Sequence, residues 1–144
     1  TLLIFTFVSI LFSAKAHKNP DDIVGVWVTG SGKAHVKIDK VGNYYFGRIV
    51  WLKDPLNDLG KPKLDKNNEE PTARTKPVLG LINIWGFVPK GDNLWDDGNI
   101  YDPKNGNTYS STMRLINANT LEVRGYIGVS LIGRTDTWTK QVAK

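Results

Sequence analysis

The chain has 144 residues, no cysteine, five tryptophans and a formal net charge of +5 at pH 7. That length supports one domain with a self-sufficient core, and the missing thiols exclude a disulfide framework, a thiolate nucleophile, a cysteine zinc site and a lipidated cysteine. The charge excess is mild and no ladder of basic and aromatic residues accompanies it, so nucleic acid is not an expected partner.

Residues 1–16 read as a secretory signal. The run from Leu2 to Phe12 is apolar, and Ala14 and Ala16 form the small-x-small pattern of a cleavage site, which predicts cleavage after Ala16 and a single mature domain over residues 17–144. Crossing a bilayer needs roughly 18 or more apolar residues, so this run is too short for a membrane span and the mature chain is expected to carry no stable membrane anchor. The sequence lacks an initiating methionine and a basic leader, which places its first residue inside the signal. An exported domain without disulfides suits a bacterial periplasm, and a periplasmic or secreted location is expected.

Past His17, short runs rich in Val, Ile, Tyr, Trp and Thr alternate with turn clusters, and no helical periodicity is sustained. Eight strands are predicted, at Ile23 to Thr29, Ala34 to Lys40, Asn43 to Leu52, Gly80 to Val88, Leu94 to Tyr101, Thr108 to Ile116, Thr120 to Ile127 and Gly133 to Lys140. Gly30-Ser31-Gly32, Val41-Gly42, Lys90 to Asn93, Pro103 to Gly106 and Asn117 to Asn119 supply hairpin chemistry. Short uniform connections favour an all-β, antiparallel, up-and-down barrel of about eight strands over a sandwich. Alternation sorts Ala34, Val36 and Ile38 from His35, Lys37 and Asp39, and Leu121, Val123, Gly125 and Ile127 from Glu122, Arg124 and Tyr126. Which face lines the interior is left open by pattern alone.

One connection breaks the meander. Lys53 to Leu79 is polar, punctuated by proline and much longer than a hairpin loop, and such loops are usually functional or disordered. Leu56, Leu59, Leu64, Val78 and Leu79 are the expected anchors of an ordered flap over one barrel end, with a helical turn around Ala73 to Lys76.

Several segments closely resemble the bacterial family catalogued as domain of unknown function 2147: Gly25-Val26-Trp27, Ile49 to Leu52, Gly60 to Asn68, Ile100 to Tyr109, Arg124 to Gly128 and Gly133-Arg134-Thr135. The resemblance spans nearly all of the mature chain and implies an exported protein with a lipocalin-like, or calycin-like, barrel. Lipocalin-like barrels also often open with Gly-x-Trp and close with an arginine over that tryptophan, so the resemblance implies that Gly25, Trp27 and Arg134 form a closure, the guanidinium stacking on the indole.

Reactive chemistry finds little support. His17 and His35 are the two histidines; His35 alternates with Lys37 and Asp39 as a surface residue would, and no nucleophile-elbow motif accompanies it. Asp92, Asp96, Asp97, Asn99 and Asp102, and separately Asp54, Asn57 and Asp58, lack the ligand spacing of a calcium loop. Glu69-Glu70 and Asp96-Asp97 are adjacent pairs, which on an extended chain point apart. No catalytic residue, metal ligand or cofactor is therefore expected.

Binding candidates are better. Most tryptophans are expected in the core, while Trp51 and Trp85, on either side of the long loop, could stack on a sugar or apolar ligand. Arg48, Arg124 and Arg134 with Tyr126 form a cationic group; Arg124 and Tyr126 would suit a carboxylate or phosphate if they point inward, and would be ordinary surface pairs if they point outward. Two readings follow: a barrel that binds a small amphipathic or anionic ligand in a cavity of several hundred Å³, or a scaffold that meets an envelope protein or glycan through its long loop or outer face. An unrecognised hydrolase ranks below both.

Overall fold

The structure, a computed structural model, describes residues 18–127 and 133–142. The predicted signal and residues 128–132 lie outside these residues. Eight strands follow one another around a closed barrel: β1 (Gly25–Val28), β2 (Ala34–Val41), β3 (Tyr44–Leu52), β4 (Ile82–Gly91), β5 (Leu94–Asp102), β6 (Asn107–Asn117), β7 (Thr120–Tyr126) and β8 (Gly133–Lys140). All neighbours are antiparallel, and β8 returns to β1 through the pairs Trp27–Lys140 and Val28–Thr139. The predicted up-and-down barrel is the fold observed, with strand ends shifted by a few residues.

The first predicted strand starts two residues late, because Pro20–Ile23 forms a 3₁₀ turn. Pro20 fits the first helical position, and the Asn19 side chain caps the turn by accepting from the Asp21 amide. The turn plugs one barrel end. Ile23 is fully buried, its carbonyl accepts a 2.8 Å bond from Trp27 Nε1, and the Asp21 carboxylate accepts from the Tyr45 hydroxyl and from Lys40 at 3.0 Å. These two donors, the tyrosine foremost, hold Asp21 below the usual carboxylate range, while burial pushes Tyr45 well above the ordinary tyrosine range.

The apolar face of each strand lines the interior. Trp27, Val36, Ile38, Tyr45, Ile49, Ile84, Phe87, Trp95, Met113, Leu121, Val123 and Trp138 pack into one cluster. Small residues make room for large ones: a Cβ on Gly98 would lie 2.2 Å from the Phe87 ring, and one on Gly47 would lie 2.6 Å from Ile84. The barrel axis is thus occupied by side chains where the carrier reading expected a ligand cavity.

Bulges set which residues face in. Tyr45 opposes Phe87 while Gly47 opposes Ile84, so β4 carries an extra residue, and Gly86 supplies the positive φ of 79° there. In β5, Trp95 opposes Met113 and Gly98 opposes Ser111, with Asp97 at φ 60° in the extra position. Each bulge turns residues three apart toward the core. A third, in β3, places both Val50 and Trp51 on the outside, each 41 % exposed.

The expected closure by Arg134 is corrected. Lys140 lies over the Trp27 ring, its Nζ 5.5 Å from the centroid and 3.3 Å from the Asp22 carbonyl. Arg134 pairs with Gly125 at the other end of β8, exposed, six residues away from Lys140. At about 3.4 Å per residue that is roughly 20 Å along the strand, beyond the reach of any side chain.

Candidate functional site

Up-and-down connectivity gathers alternate connections at each barrel end, so the β1–β2, β3–β4 and β5–β6 turns share the end opposite the plug. The β3–β4 connection is the long loop. Its return segment closes inward, with Val78 and Leu81 packed on the core and Gly80 and Leu81 paired to both sides of Ile49. Its middle does something else. Ile84 and Ile100 face the core as a pair, so alternation puts Trp85, Asn99, Tyr101 and Thr108 on the outer wall. Tyr101 nevertheless is only 7 % exposed, because residues 65–68 of the loop lie against it.

Asp65 is the clamp. Fully buried, it accepts a 2.6 Å bond from the Tyr101 hydroxyl and a 2.7 Å bond from Asn68 Nδ2, and its amide donates to the Lys76 carbonyl. Burial, then the Asp65 hydrogen bond, pushes Tyr101 up to about 12. Asn67 Nδ2 donates to the carbonyls of Pro103 (3.1 Å) and Lys104 (2.9 Å), tying the loop to the β5–β6 turn. The approach is close enough that a Cβ on Gly106 would meet the Asn67 carbonyl oxygen at 1.9 Å. A 3₁₀ turn at Pro71–Ala73, two residues before the predicted one, is braced by Arg74 donating to the carbonyls of Asn68 and Glu69.

The flap is ordered, but by polar clamps on the outer wall and not by the predicted leucines. Leu56, Leu59, Leu64 and Leu79 are 44 % to 80 % exposed, and Val78 alone of the five anchors packs on the core. Buried polar groups must be paired, so each clamp is specific in a way an apolar contact is not.

Between loop and wall opens a cleft of about 190 Å³, lined by Asn68 and Glu69 on one side and by Ile82, Trp85, Tyr101 and Thr108 on the other. Trp85 offers an indole face, 36 % exposed. Asn68 is already engaged, donating to Asp65 and accepting from the Glu70 amide, which leaves Glu69 and Thr108 as the polar groups open to a ligand.

Of the predicted binding residues, Trp85 alone lines this cleft. Trp51 stacks on His35 with ring centroids 4.3 Å apart, on the outer wall of β2 and β3. Arg48 stands on that wall too and donates to the Gly80 carbonyl at 2.5 Å. Arg124 and Tyr126 lie four strands away on β7, across the barrel. There Arg124 sits 5.3 Å from the Tyr126 ring and donates to Thr135 at 3.0 Å, and the Tyr126 hydroxyl is 3.3 Å from that of Thr112. The parity question therefore resolves outward, since Leu121 and Val123 take the interior positions of the same strand. The arginines read as one cationic group stand apart, Arg48 on β3 and Arg124 and Arg134 on the paired strands β7 and β8. Sequence reasoning missed Asp65, Tyr101 and Thr108; a lone aspartate inside Lys63 to Asn68 carries no local signal of its role, and its partner lies 36 residues away. Among the described residues, no three His, Cys, Asp or Glu side chains are grouped to hold a metal ion.

A closed eight-stranded up-and-down barrel, stoppered at one end by a 3₁₀ turn beneath Gly-x-Trp, defines a lipocalin-like β-barrel. The chain belongs to the family described as an uncharacterized protein conserved in bacteria (DUF2147), whose pattern matches residues 25–140. Among solved structures it is similar to protein HP1028 of Helicobacter pylori, described as belonging to the lipocalin family, with a TM-score of 0.71 and 22 % identity over 83 % of this chain and 82 % of that one. At that identity the likeness is one of fold. No curated protein matches.

Proposed function

We propose that this protein is an exported, non-catalytic binding protein whose ligand site is the cleft between the long loop and the outer wall. The observation that carries the reading is an indole half-open to solvent beside two unengaged polar groups, in a concavity built by a loop that is itself fixed. Small-molecule sites combine an apolar surface with a few placed polar groups in this way. Glu69 argues against an anion and for a small amphipathic ligand bearing hydroxyls, with a ring that can lie on Trp85; a sugar unit of an envelope glycan has that chemistry. A single carboxylate among the lining residues supports binding over glycoside cleavage, which takes a pair flanking the bond. The apolar run from Leu2 to Phe12 ahead of Ala14 and Ala16 supports export to the periplasm or beyond.

The test is a glycan array followed by calorimetry on the hits. Binding should be lost in Trp85→Ala and weakened in Glu69→Gln while circular dichroism is unchanged. A ligand that binds equally well to both variants refutes the site.

A further inference from the structure

The barrel is two-sided. Outward positions of β6 and β8 carry Thr108, Ser110, Thr112, Thr135, Thr137 and Thr139, a hydroxylic wall. The wall across the barrel is of another kind. There the β3 bulge turns Val50 and Trp51 outward together, and Ile82, opposite Arg48 on β4, adds a third apolar side chain that is 37 % exposed.

Basic residues surround this apolar centre. Lys37 pairs with Arg48 one step from the His35–Trp51 stack, and the Lys53 amide bonds the Lys33 carbonyl one step beyond it, which sets both lysines on the outward face. The acid among the outward residues of β1 to β3 is Asp39, which forms a surface ion pair with Lys37 at 3.6 Å, so the net positive charge of the ring rests on Lys33, Arg48 and Lys53. An indole and aliphatic side chains ringed by lysine and arginine, on a convex wall backed by a hydroxylic one, are the elements with which a protein rests on an anionic bilayer: the apolar groups enter the headgroup boundary and the cations meet lipid phosphates.

We propose that the outer wall of β1 to β3 docks the protein on an anionic lipid surface, with Trp51 at the centre of the contact. This does not depend on the cleft reading, because Trp51 and the basic residues lie outside the cleft lining and only Ile82, at the edge of the wall, belongs to both. A convex wall suits a bilayer better than a protein groove would, and the positive ring complements acidic headgroups. In an exported protein the nearest such surface is the membrane it has just crossed.

Co-sedimentation with phosphatidylglycerol/phosphatidylcholine vesicles tests the proposal, with pure phosphatidylcholine vesicles as the comparison. The protein should pellet with the anionic vesicles, be released by high salt and stay in solution with the neutral ones. Trp51→Ala should weaken binding about tenfold through lost apolar contact. The double change Lys33→Glu/Lys53→Glu should weaken it at least about tenfold. Ser110→Ala on β6, across the barrel, and Trp85→Ala in the cleft should leave it unchanged, which separates docking from ligand binding. Failure to pellet with anionic vesicles, or equal binding by every variant, overturns the proposal, and in that case a pulled-down protein partner would claim the wall instead.

Discussion

Removing one oxygen atom should release the long loop. In Tyr101→Phe the ring still fills its place under residues 65–68, but Asp65, fully buried, keeps one side-chain donor, Asn68, where it had two. A hydrogen bond to a charged group contributes about 1.5–3 kcal/mol, and a buried carboxylate that loses a donor bears most of that as a desolvation penalty. We take about 2 kcal/mol, which corresponds to a roughly 30-fold rise in the population of the detached loop. Native-state hydrogen exchange reads it directly at the amides of Asp65, Lys63 and Val78, whose acceptors are Lys76, Pro55 and Lys63. These should exchange roughly 30-fold faster, while amides of β6 and β7 keep their protection. Unaltered exchange at Asp65 in a folded Tyr101→Phe protein would refute the clamp.

Burial of Tyr101 beneath the loop, together with the same bond, gives an alkaline signature. The folded-state value for Tyr101 is raised to about 12 from an ordinary 10.0, so the unfolded chain releases this proton first as pH rises. Its contribution is complete below about pH 10 and is lost progressively toward pH 12, a decline that Tyr101→Phe should lessen, with Tyr45, raised by burial, supplying the remainder.

Two further perturbations test the barrel itself. Gly98→Ala sets a methyl 2.2 Å from the Phe87 ring, and overpacking should lower stability by about 3 kcal/mol in urea denaturation, with recovery when Phe87→Leu is added; an unchanged midpoint would show that the interior has room to spare. At the closed end, Lys140→Met should cost about 1 kcal/mol by removing the cation over Trp27, whereas Arg134→Ala should cost nothing measurable. The opposite ranking in thermal melts would restore the arginine closure.

The fold was legible because alternation is a strong signal wherever one face is buried. Val36 and Ile38, or Leu121 and Val123, sort from their neighbours without any knowledge of the partner strand, and the polar partners Lys37 and Glu122 stay outside. Register across the seam was not legible. Whether Arg134 or Lys140 meets Trp27 depends on the stagger accumulated through seven strand pairs and their bulges, and no local pattern encodes that sum. Gly86 and Gly98 inside predicted strands were visible hints, since glycine there marks a bulge or a close approach. The site was legible in part. Trp85 stood out as a large aromatic beside an irregular loop, but Asp65 and Tyr101 act through a single long-range bond that turn-like composition conceals. The arginines misled because side-chain type says nothing of azimuth: β3 and β7 look alike in sequence and stand on opposite sides of a cylinder.

The seam where β8 meets β1 has two paired positions, while the neighbouring β7–β8 ladder has seven. Side chains make up the shortfall, with the Gly30 amide donating to Asp136 at 3.3 Å near one end and Lys140 reaching Asp22 and Trp27 at the other. Should the seam part, two strands would be bared together, each offering unpaired amides and carbonyls to another copy. The plug and its lysine therefore guard against strand exchange and fibre growth, a duty quite apart from any ligand.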